Sequence, residues 1–504
     1  MDRSKPDVIV VGSGNAAFSA ALTARERGAK VLMLEKAPRE WVGGNSWFTA
    51  GAFRLTHDGV GDLGDLIDDI DDDIVLPAYP EAAYEADMRR VTANRCDPDL
   101  TAVLVGEARD AAHWMRTHGV RWRLMTDRQA HRSGGRVRFW GGLAVGVLGG
   151  GEALIDAYLA AASRAGIELA FDSPVVGLIT DSQGVTGVRV ATPDGTRDLL
   201  APAVVLASGG FEADPDLRAS HLGPQWRLAL VRGTPHNTGE TLMSAITIGA
   251  QPFGDWSGCH AIAWDASAPP LGDRAVSNRY SRQAYPWGLV VNQRGERFVD
   301  EGADFRNYTY ARYGAEILRQ PGGLAFQLFD GRTIGFISEV DYDTALTSRS
   351  EADSTRELAA VAGIDGQLEA TIEAYNAAVG TADFDPTVLD GKGTIGIDPP
   401  KSNWALPLDT PPFVAYAVSC GITFTFGGIR IDTDASVLDR SGAPIPGLYA
   451  AGEIIGGLFY GNYPGGTGLA SGTVFGRRAG RTAADHAAAA NDRRDVDRME
   501  SGAI

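Results

Sequence analysis

Cysteine is scarce: the 504 residues contain three, Cys96, Cys259 and Cys420, an odd number placed far apart. No CxxC, CxxCH or Cys/His ligand spacing occurs, which argues against an iron–sulfur cluster, an attached haem or a disulfide framework within the chain. A reducing, cytoplasmic compartment is expected. Basic charge is in deficit as well. Lys plus Arg number 46 against 64 Asp plus Glu, a formal charge of −18, and the resulting long-range field repels nucleic-acid phosphates and anionic lipid headgroups. No nucleic-acid partner is expected, and an anionic ligand has to be held by local Arg, His or backbone NH groups. Long apolar runs are missing too. The N-terminus passes from MDRSKPD straight into VIVV, and no stretch approaches roughly 18 uninterrupted apolar residues, which predicts a soluble chain without targeting or membrane segment. The acidic run DLIDDIDDDI lacks an EF-hand pattern and reads as a solvated helix face or loop, so no metal is expected.

Glycine, in contrast, is abundant. The 63 glycines cluster in GSGNAA, GGNS, GGLAVGVLGGG, SGG, FGG and GGLFYGNYPGGTG, a distribution that lets backbone approach a large ligand. At roughly 100–200 residues per domain the length suggests two or three folding units. DVIVVGSGNAAFSAALTARERGAKVLMLEK reads as buried strand, Gly-rich turn, Ala-rich helix and second buried strand, a βαβ opening. EALIDAYLAAASRAG is a predicted helix, followed by strands in IELAFDSPVVGLITD, VTGVRVATPDGTRD and AVVLASGG with a hairpin turn at Asp194-Gly195. Residues from about 255 to 424, rich in Trp, Tyr, Pro and Arg, interrupt the βα rhythm and read as an inserted cap. The tail returns to short strands and a closing Ala-rich helix, and NDRRDVDRMESGAI reads as a frayed terminus. The fold class is therefore α/β: a Rossmann-like domain formed by both chain ends (1–254 and 425–504) with an inserted α+β cap, or substrate, domain (255–424).

Gly12, Gly14 and Ala17 form GxGxxA after an apolar strand: the first makes the turn, the second admits a pyrophosphate, and the small third residue packs helix on sheet. Glu35 follows about twenty residues on, placed for a ribose diol. Near the C-terminus, Ala451-Gly452-Glu453 follows the apolar GLYA, and Gly465-Gly466 precede a helix beginning near Leu469. A carboxylate for a ribityl hydroxyl and a helix start for the pyrimidine carbonyl are what a flavin needs and NAD does not. The expected cofactor is FAD, with contacts at Gly12, Gly14, Asn15, Ala16, Glu35, Lys36, Gly44, Asn45, Ser46, Val175, Gly209, Glu453, Gly468, Leu469 and Ala470.

These motifs, with GGNSWFTAGAF, LASGGFEAD, NTGETLMSAITIGA, VVNQRGERFVDE and GGIRIDTDASVLDRSGAPIPGLYAAGE in this order, resemble the flavoproteins of the fumarate reductase and succinate dehydrogenase family over nearly the whole chain. Within it, APREWVGGNS, GERFVDEGADFRNYTYARYG, GITFTFGG and GNYPGGTGLASGTVFGRRAG are most similar to FAD-dependent tricarballylate dehydrogenases. The resemblance implies a cap that encloses substrate against the flavin. Covalent attachment is not suggested, because GGNSWFTAG lacks the His of succinate dehydrogenases.

Flavin desaturation requires a hydride path, a group for the neighbouring proton, and polarisation of an adjacent carboxylate or ketone. By the resemblance Arg306, just beyond GERFVDEG, is the proton carrier, although one residue further along than in the family; its alternative is an ion pair with Glu301 or Asp304. His260 falls where the family places a substrate-binding His. Arg297 and Glu301 are expected to lock the cap to the flavin domain, and Tyr308 and Tyr310 are further candidates. The family's carboxylate clamp, a His pair and an Arg, is replaced here by Thr423, Phe424 and Tyr463, and SNRYSRQAYPWG offers Arg279 and Arg282 but no Glu for a proton relay. Tyr463-Pro464-Gly465 also looks like the loop of 3-ketosteroid Δ1-dehydrogenases in which a Tyr hydroxyl polarises a ketone; Phe424, Phe426, Trp256, Trp287, Tyr460 and Tyr463 would line such a pocket. The expected activity is desaturation next to a carboxylate, best matched by tricarballylate to cis-aconitate, with a 3-ketosteroid-like or cyclic-ketone dehydrogenase as the alternative. A third reading is an electron-transfer subunit, reduced by a partner protein rather than by a small substrate. The electron acceptor is expected to be a separate iron–sulfur or membrane redox protein, or a quinone.

Overall fold

The computed structural model describes residues 5–338, 341–342 and 344–501. Val8–Val11 are buried on both faces and form β1, which only the middle of a covered parallel sheet accommodates. Helix α1 (Asn15–Glu26) follows, buried from Asn15 to Ala24, and leads to β2 (Val31–Leu34), parallel to β1 with Val8 opposite Val31. Strands β3 (Glu168–Ala170) and β4 (Ala203–Leu206) join on either side, β3 against β2 and β4 against β1. The predicted helix is present as Gly150–Ala165, stopped by Gly166 at φ +68°. The hairpin turns one residue earlier than expected, at Pro193-Asp194, with Thr192 opposite Gly195.

The chain then leaves this sheet through the long strand β5 (Pro252–Asp265). It builds β6 (Leu289–Asn292), helix α2 (Arg306–Leu318), β7 (Ala325–Phe329) and β8 (Arg349–Ala352), and returns through β9 (Phe413–Ile429). Strands β5 and β9 run antiparallel from Pro252 opposite Ile429 to Asp265 opposite Val418. The expected boundaries at 254/255 and 424/425 fall inside these two strands, so the outgoing and returning crossings are one continuous ribbon. The insertion has its own core, with Leu289, Val291, Phe326, Leu358 and Tyr375 buried together. The Arg297–Glu301 pair belongs to this insertion and does not reach the other domain: Nη2 lies 2.5 Å from Oε2, the guanidinium also caps the Pro399 and Pro400 carbonyls, and Glu301 accepts from Val290 N.

Strands β10 (Ser436–Leu438) and β11 (Pro444–Ala450) complete the first sheet, whose order is β10-β11-β4-β1-β2-β3. Helix α3 (Thr467–Ser501) closes the chain. Gly472, Gly476 and Gly480 lie at four-residue spacing along it and face α1, where a Cβ at Gly476 or Gly480 would come within 2.6 Å of the Ala16 carbonyl oxygen or 2.2 Å of that of Ala20. Only glycine permits that approach, and it binds the two chain ends together. The segment expected to fray continues α3 as far as Ser501; residues 502–504 lie outside the described residues. The acidic run forms turns pinned by arginines: Arg109 reaches Asp62 and Asp65, Arg116 lies 2.6 Å from Asp68, and Arg132 lies 2.5 Å from Asp73.

Candidate active site

One continuous cavity of about 260 Å³ is lined by the turn after β1, the end of β2, the start of α3 and, from the insertion, β5, α2 and β9. At Gly12 φ is +111°, and a Cβ would come within 2.3 Å of the Ala207 carbonyl oxygen, so glycine alone closes this turn. A Cβ at Gly44 would meet no protein atom within 4 Å, and at Gly468 the nearest lie at 3.9 Å. The backbone is thus open to a ligand at Gly44, which begins the one-turn helix Gly44–Trp47, and at the start of α3, where first-turn NH groups lack intrahelical partners. Glu35 directly follows β2, buried, accepting from Ser13 Oγ at 2.5 Å and Ala37 N at 2.8 Å. Burial raises its pKa, and these hydrogen bonds pull the other way. Open glycines at two helix starts and a carboxylate just after β2 fit a flavin dinucleotide.

Two carboxyl groups meet behind this cradle. Glu453 Oε1 accepts from Thr425 N at 2.8 Å, while Glu212 Oε1 accepts from Asn45 Nδ2 at 2.5 Å and Asn237 Nδ2 at 2.7 Å. Asn237 Nδ2 also lies 3.4 Å from Glu453 Oε2. Burial raises both pKa values, and for Glu453 the neighbouring Glu212 charge raises it further.

At the other end, a break in the β5–β9 register beside His260 turns its ring into a box formed by Tyr310, Tyr463 and Phe424, with ring centroids 5.0, 4.9 and 5.1 Å away. His260 is buried, and neither ring nitrogen has a hydrogen-bond partner. Burial, then the Arg232 charge, holds its pKa well below the usual value and the imidazole neutral. The Tyr310 and Tyr463 hydroxyls touch, and burial raises both their pKa values. Asp341 anchors two arginines: Arg128 Nη1 lies 2.5 Å from Oδ1, and Arg306 Nη1 lies 3.7 Å from Oδ2. Arg306 also donates to the Arg128 carbonyl, and burial pulls its pKa below the ordinary guanidinium value. Arg232 faces the same cavity; its Nε donates to Asn278 Oδ1 at 2.7 Å and its Nη1 to Thr423 Oγ1 at 2.9 Å.

Of the sequence-predicted residues, Arg306, His260 and Tyr463 line the cavity together with every cofactor candidate except Ala470. Ala470 is fully buried in the first turn of α3. Tyr308 is not brought to the cavity. Two positions past Arg306 on α2 it points to the opposite face, where its hydroxyl meets Asp87 and the Gly141 carbonyl at 2.5 Å; Tyr310, four past Arg306, shares the cavity face. Arg306 pairs with Asp341 rather than with Glu301 or Asp304, and Asp304 is taken by Arg90. Among the expected aromatics, Phe424, Phe426 and Tyr463 line the cavity, as does Phe459. Trp256 stacks on Phe211, Trp287 lines a smaller adjoining cavity, and Tyr460 lies under Arg95. Sequence reasoning missed Arg232, Arg128, Asp341 and Glu212; the only signal for Arg232 was a cation in the Gly/Pro loop VRGTPHNTG.

A family profile described as an FAD binding domain matches residues 7–469. A fumarate reductase (cytochrome) of Shewanella frigidimarina is 30% identical over 490 residues, covering 95% of this chain and 77% of that protein. A 4-oxocyclohexanecarboxylate 2-dehydrogenase of Sinomonas cyclohexanicum is also 30% identical, covering 97% of this chain and 95% of that protein. Among solved structures, the open conformation of a flavocytochrome c3 fumarate reductase superposes with a TM-score of 0.71 at 28% identity, over 96% of this chain and 79% of that one. The fold is shared with a 3-ketosteroid Δ1-dehydrogenase from Sterolibacterium denitrificans, with a TM-score of 0.72 at 21% identity over 95% and 99% of the two chains. Sequence, fold and the glycine cradle agree: the chain is an FAD-dependent oxidoreductase and belongs to the flavoproteins of the fumarate reductase and succinate dehydrogenase family.

Proposed function

We propose that the protein is a dehydrogenase that removes hydride and proton across a C–C bond next to a carboxylate, with tricarballylate to cis-aconitate as the reaction. The observation that carries this reading is the cluster of Arg306, Arg128 and Arg232, all lining the cavity, of which Arg306 and Arg128 share Asp341 as counter-charge. In so acidic a protein that local excess of cations is what an anionic carbon chain requires. Bound FAD supplies the hydride-exchanging centre. Arg306 exchanges the proton: a guanidinium nitrogen that has yielded its own proton towards Asp341 takes the one leaving the substrate carbon, and burial, which lowers its pKa, makes that release less costly. Asp341 and Arg128 stand in for the Glu relay that SNRYSRQAYPWG lacks. His260, neutral and with both nitrogens free, offers one donor to a substrate oxygen.

The touching Tyr310 and Tyr463 hydroxyls, among Phe424, Phe426 and Phe459, favour a second reading in which a cyclic ketone is polarised and desaturated at its flank. The 4-oxocyclohexanecarboxylate enzyme among the relatives carries both groups in its substrate's name. All three cysteines are buried and unpaired, as suits the cytoplasm. Among the described residues no helix is long and apolar enough to cross a membrane. Electrons leave to a separate acceptor, an iron–sulfur or membrane redox protein or a quinone.

The test is anaerobic bleaching of the flavin by tricarballylate, succinate, cyclohexanone and a 3-ketosteroid. Bleaching by tricarballylate is expected. Bleaching by ketones alone would replace the first reading with the second, and reduction only by a partner protein would reject both.

A further inference from the structure

We infer that Arg232 is a second carboxylate receptor, separate from the Arg306 end, so that the cavity takes a carbon chain bearing at least two carboxylates. The inference rests on the carboxylate reading above and adds to it the number and placement of the charges. Arg232 follows the short strand Leu230–Val231, is 8% exposed, and lines the cavity. Both of its partners, the Asn278 side-chain carbonyl and the Thr423 hydroxyl, are neutral, and both line the same cavity. Among the described residues no carboxylate lies within 4 Å of its guanidinium, and Nη2 has no hydrogen-bond partner.

The other buried arginines differ. Arg282 lies 3.0 Å from Asp265, Arg297 lies 2.5 Å from Glu301, and Arg128 and Arg306 share Asp341. Arg218, which lacks a carboxylate partner, is ringed by the backbone carbonyls of Glu212, Trp226, Arg227 and Ala229. Among the described residues Arg232 has neither counter-ion nor carbonyl ring. A buried cation in that condition is unfavourable in the empty protein and favourable once an anion enters, which is the signature of a receptor rather than of a structural brace. Trp264, with its ring 5.7 Å from the guanidinium carbon, supports the group from one side. The unpartnered nitrogens of His260 add a donor within the reach of its field.

The test uses FAD-loaded Arg232→Met and Arg232→Lys. Malonate serves as the probe, a diacid without a CH–CH bond that binds without turnover, and cyclohexanone as a neutral control; both are titrated by the change in flavin absorbance. Removal of a charge-assisted hydrogen bond predicts malonate binding weakened by about tenfold to a hundredfold in Arg232→Met, part of it recovered in Arg232→Lys, with cyclohexanone unaffected. The ligand-free melting temperature of Arg232→Met is expected to equal or exceed that of wild type, because no ion pair is broken. Unchanged malonate binding in Arg232→Met would overturn the inference alone, as would a lowered ligand-free melting temperature with parallel loss of cyclohexanone binding. A wild-type protein that binds neither malonate nor tricarballylate would overturn the carboxylate reading of the whole cavity along with it.

Discussion

Replacing Arg306 by Lys keeps the charge and removes the planar fork. In the wild type one guanidinium serves three directions: the Arg128 carbonyl, Asp341 and the cavity. An ammonium is a point charge and cannot hold all three. At an effective dielectric of about 20, two unit charges separated by the 3.7 Å between Arg306 and Asp341 attract by about 4 kcal/mol, so the lysine is drawn to the carboxylate and away from substrate. Loss of a positioned acid–base group costs about 10²- to 10⁴-fold, or roughly 3–5 kcal/mol of barrier. The assay is stopped-flow reduction of the flavin by tricarballylate under anaerobic conditions, with FAD content measured in parallel. FAD content should be unchanged, because the glycine cradle contains no part of Arg306, while the reduction rate should fall by at least about a hundredfold. A rate within about threefold of wild type would refute the reasoning, since that is less than about 1 kcal/mol. Asp341→Asn should slow the same step with Arg306 intact and alter its pH profile.

Tyr463→Phe removes a hydroxyl in contact with Tyr310; bleaching by tricarballylate should persist within about tenfold, whereas a large loss confined to ketones would transfer the assignment to the second reading. Gly480→Val drives a side chain into the Ala20 carbonyl at 2.2 Å and should cost at least about 1–3 kcal/mol, read as a lower melting temperature together with poorer flavin retention. Glu212→Gln removes a charge from the buried pair and keeps an oxygen for Asn45 and Asn237, so thermal stability at neutral pH should rise; a fall would show that the pair is not repulsive. Lys401 is buried with Nζ 2.7 Å from the Gly288 carbonyl, and burial pulls its pKa from 10.5 to about 8. Between those values the unfolded chain binds more protons than the native one, so this group's contribution to stability rises by about 3 kcal/mol from pH 8 to 10.5 and is flat below pH 8. Denaturant unfolding should show that rise in wild type and not in Lys401→Met.

What the sequence disclosed was local. GxGxxA, Glu35 and the AGE turn are short-range patterns, and each lies on the cavity wall because strand, turn and helix fix it within a few residues. The Arg306–Tyr310 face of α2 was legible in principle from helical spacing, and Tyr308 was misplaced by treating neighbouring tyrosines as equivalent. Arg232 and Asp341 could not be recognised in the same way. The meaning of Arg232 lies in the lack of a carboxylate beside it among the described residues, and that of Asp341 in two arginines that are 213 and 35 positions away along the chain. The acidic run forms the exposed turns its composition suggests, but the arginines that hold Asp65, Asp68 and Asp73 lie on a distant helix and a strand and were not legible from it.

The glycine-lined contact between α3 and α1 also sets an order of events during synthesis. The apolar flank of α1 is translated within the first thirty residues, yet the surface that covers it leaves the ribosome only after residue 480. Until then the nascent polypeptide carries an unfinished nucleotide cleft whose apolar flank is uncovered, the kind of surface that favours aggregation. A message truncated by even a few dozen codons would consequently yield material unable to mature, however intact its catalytic arginines.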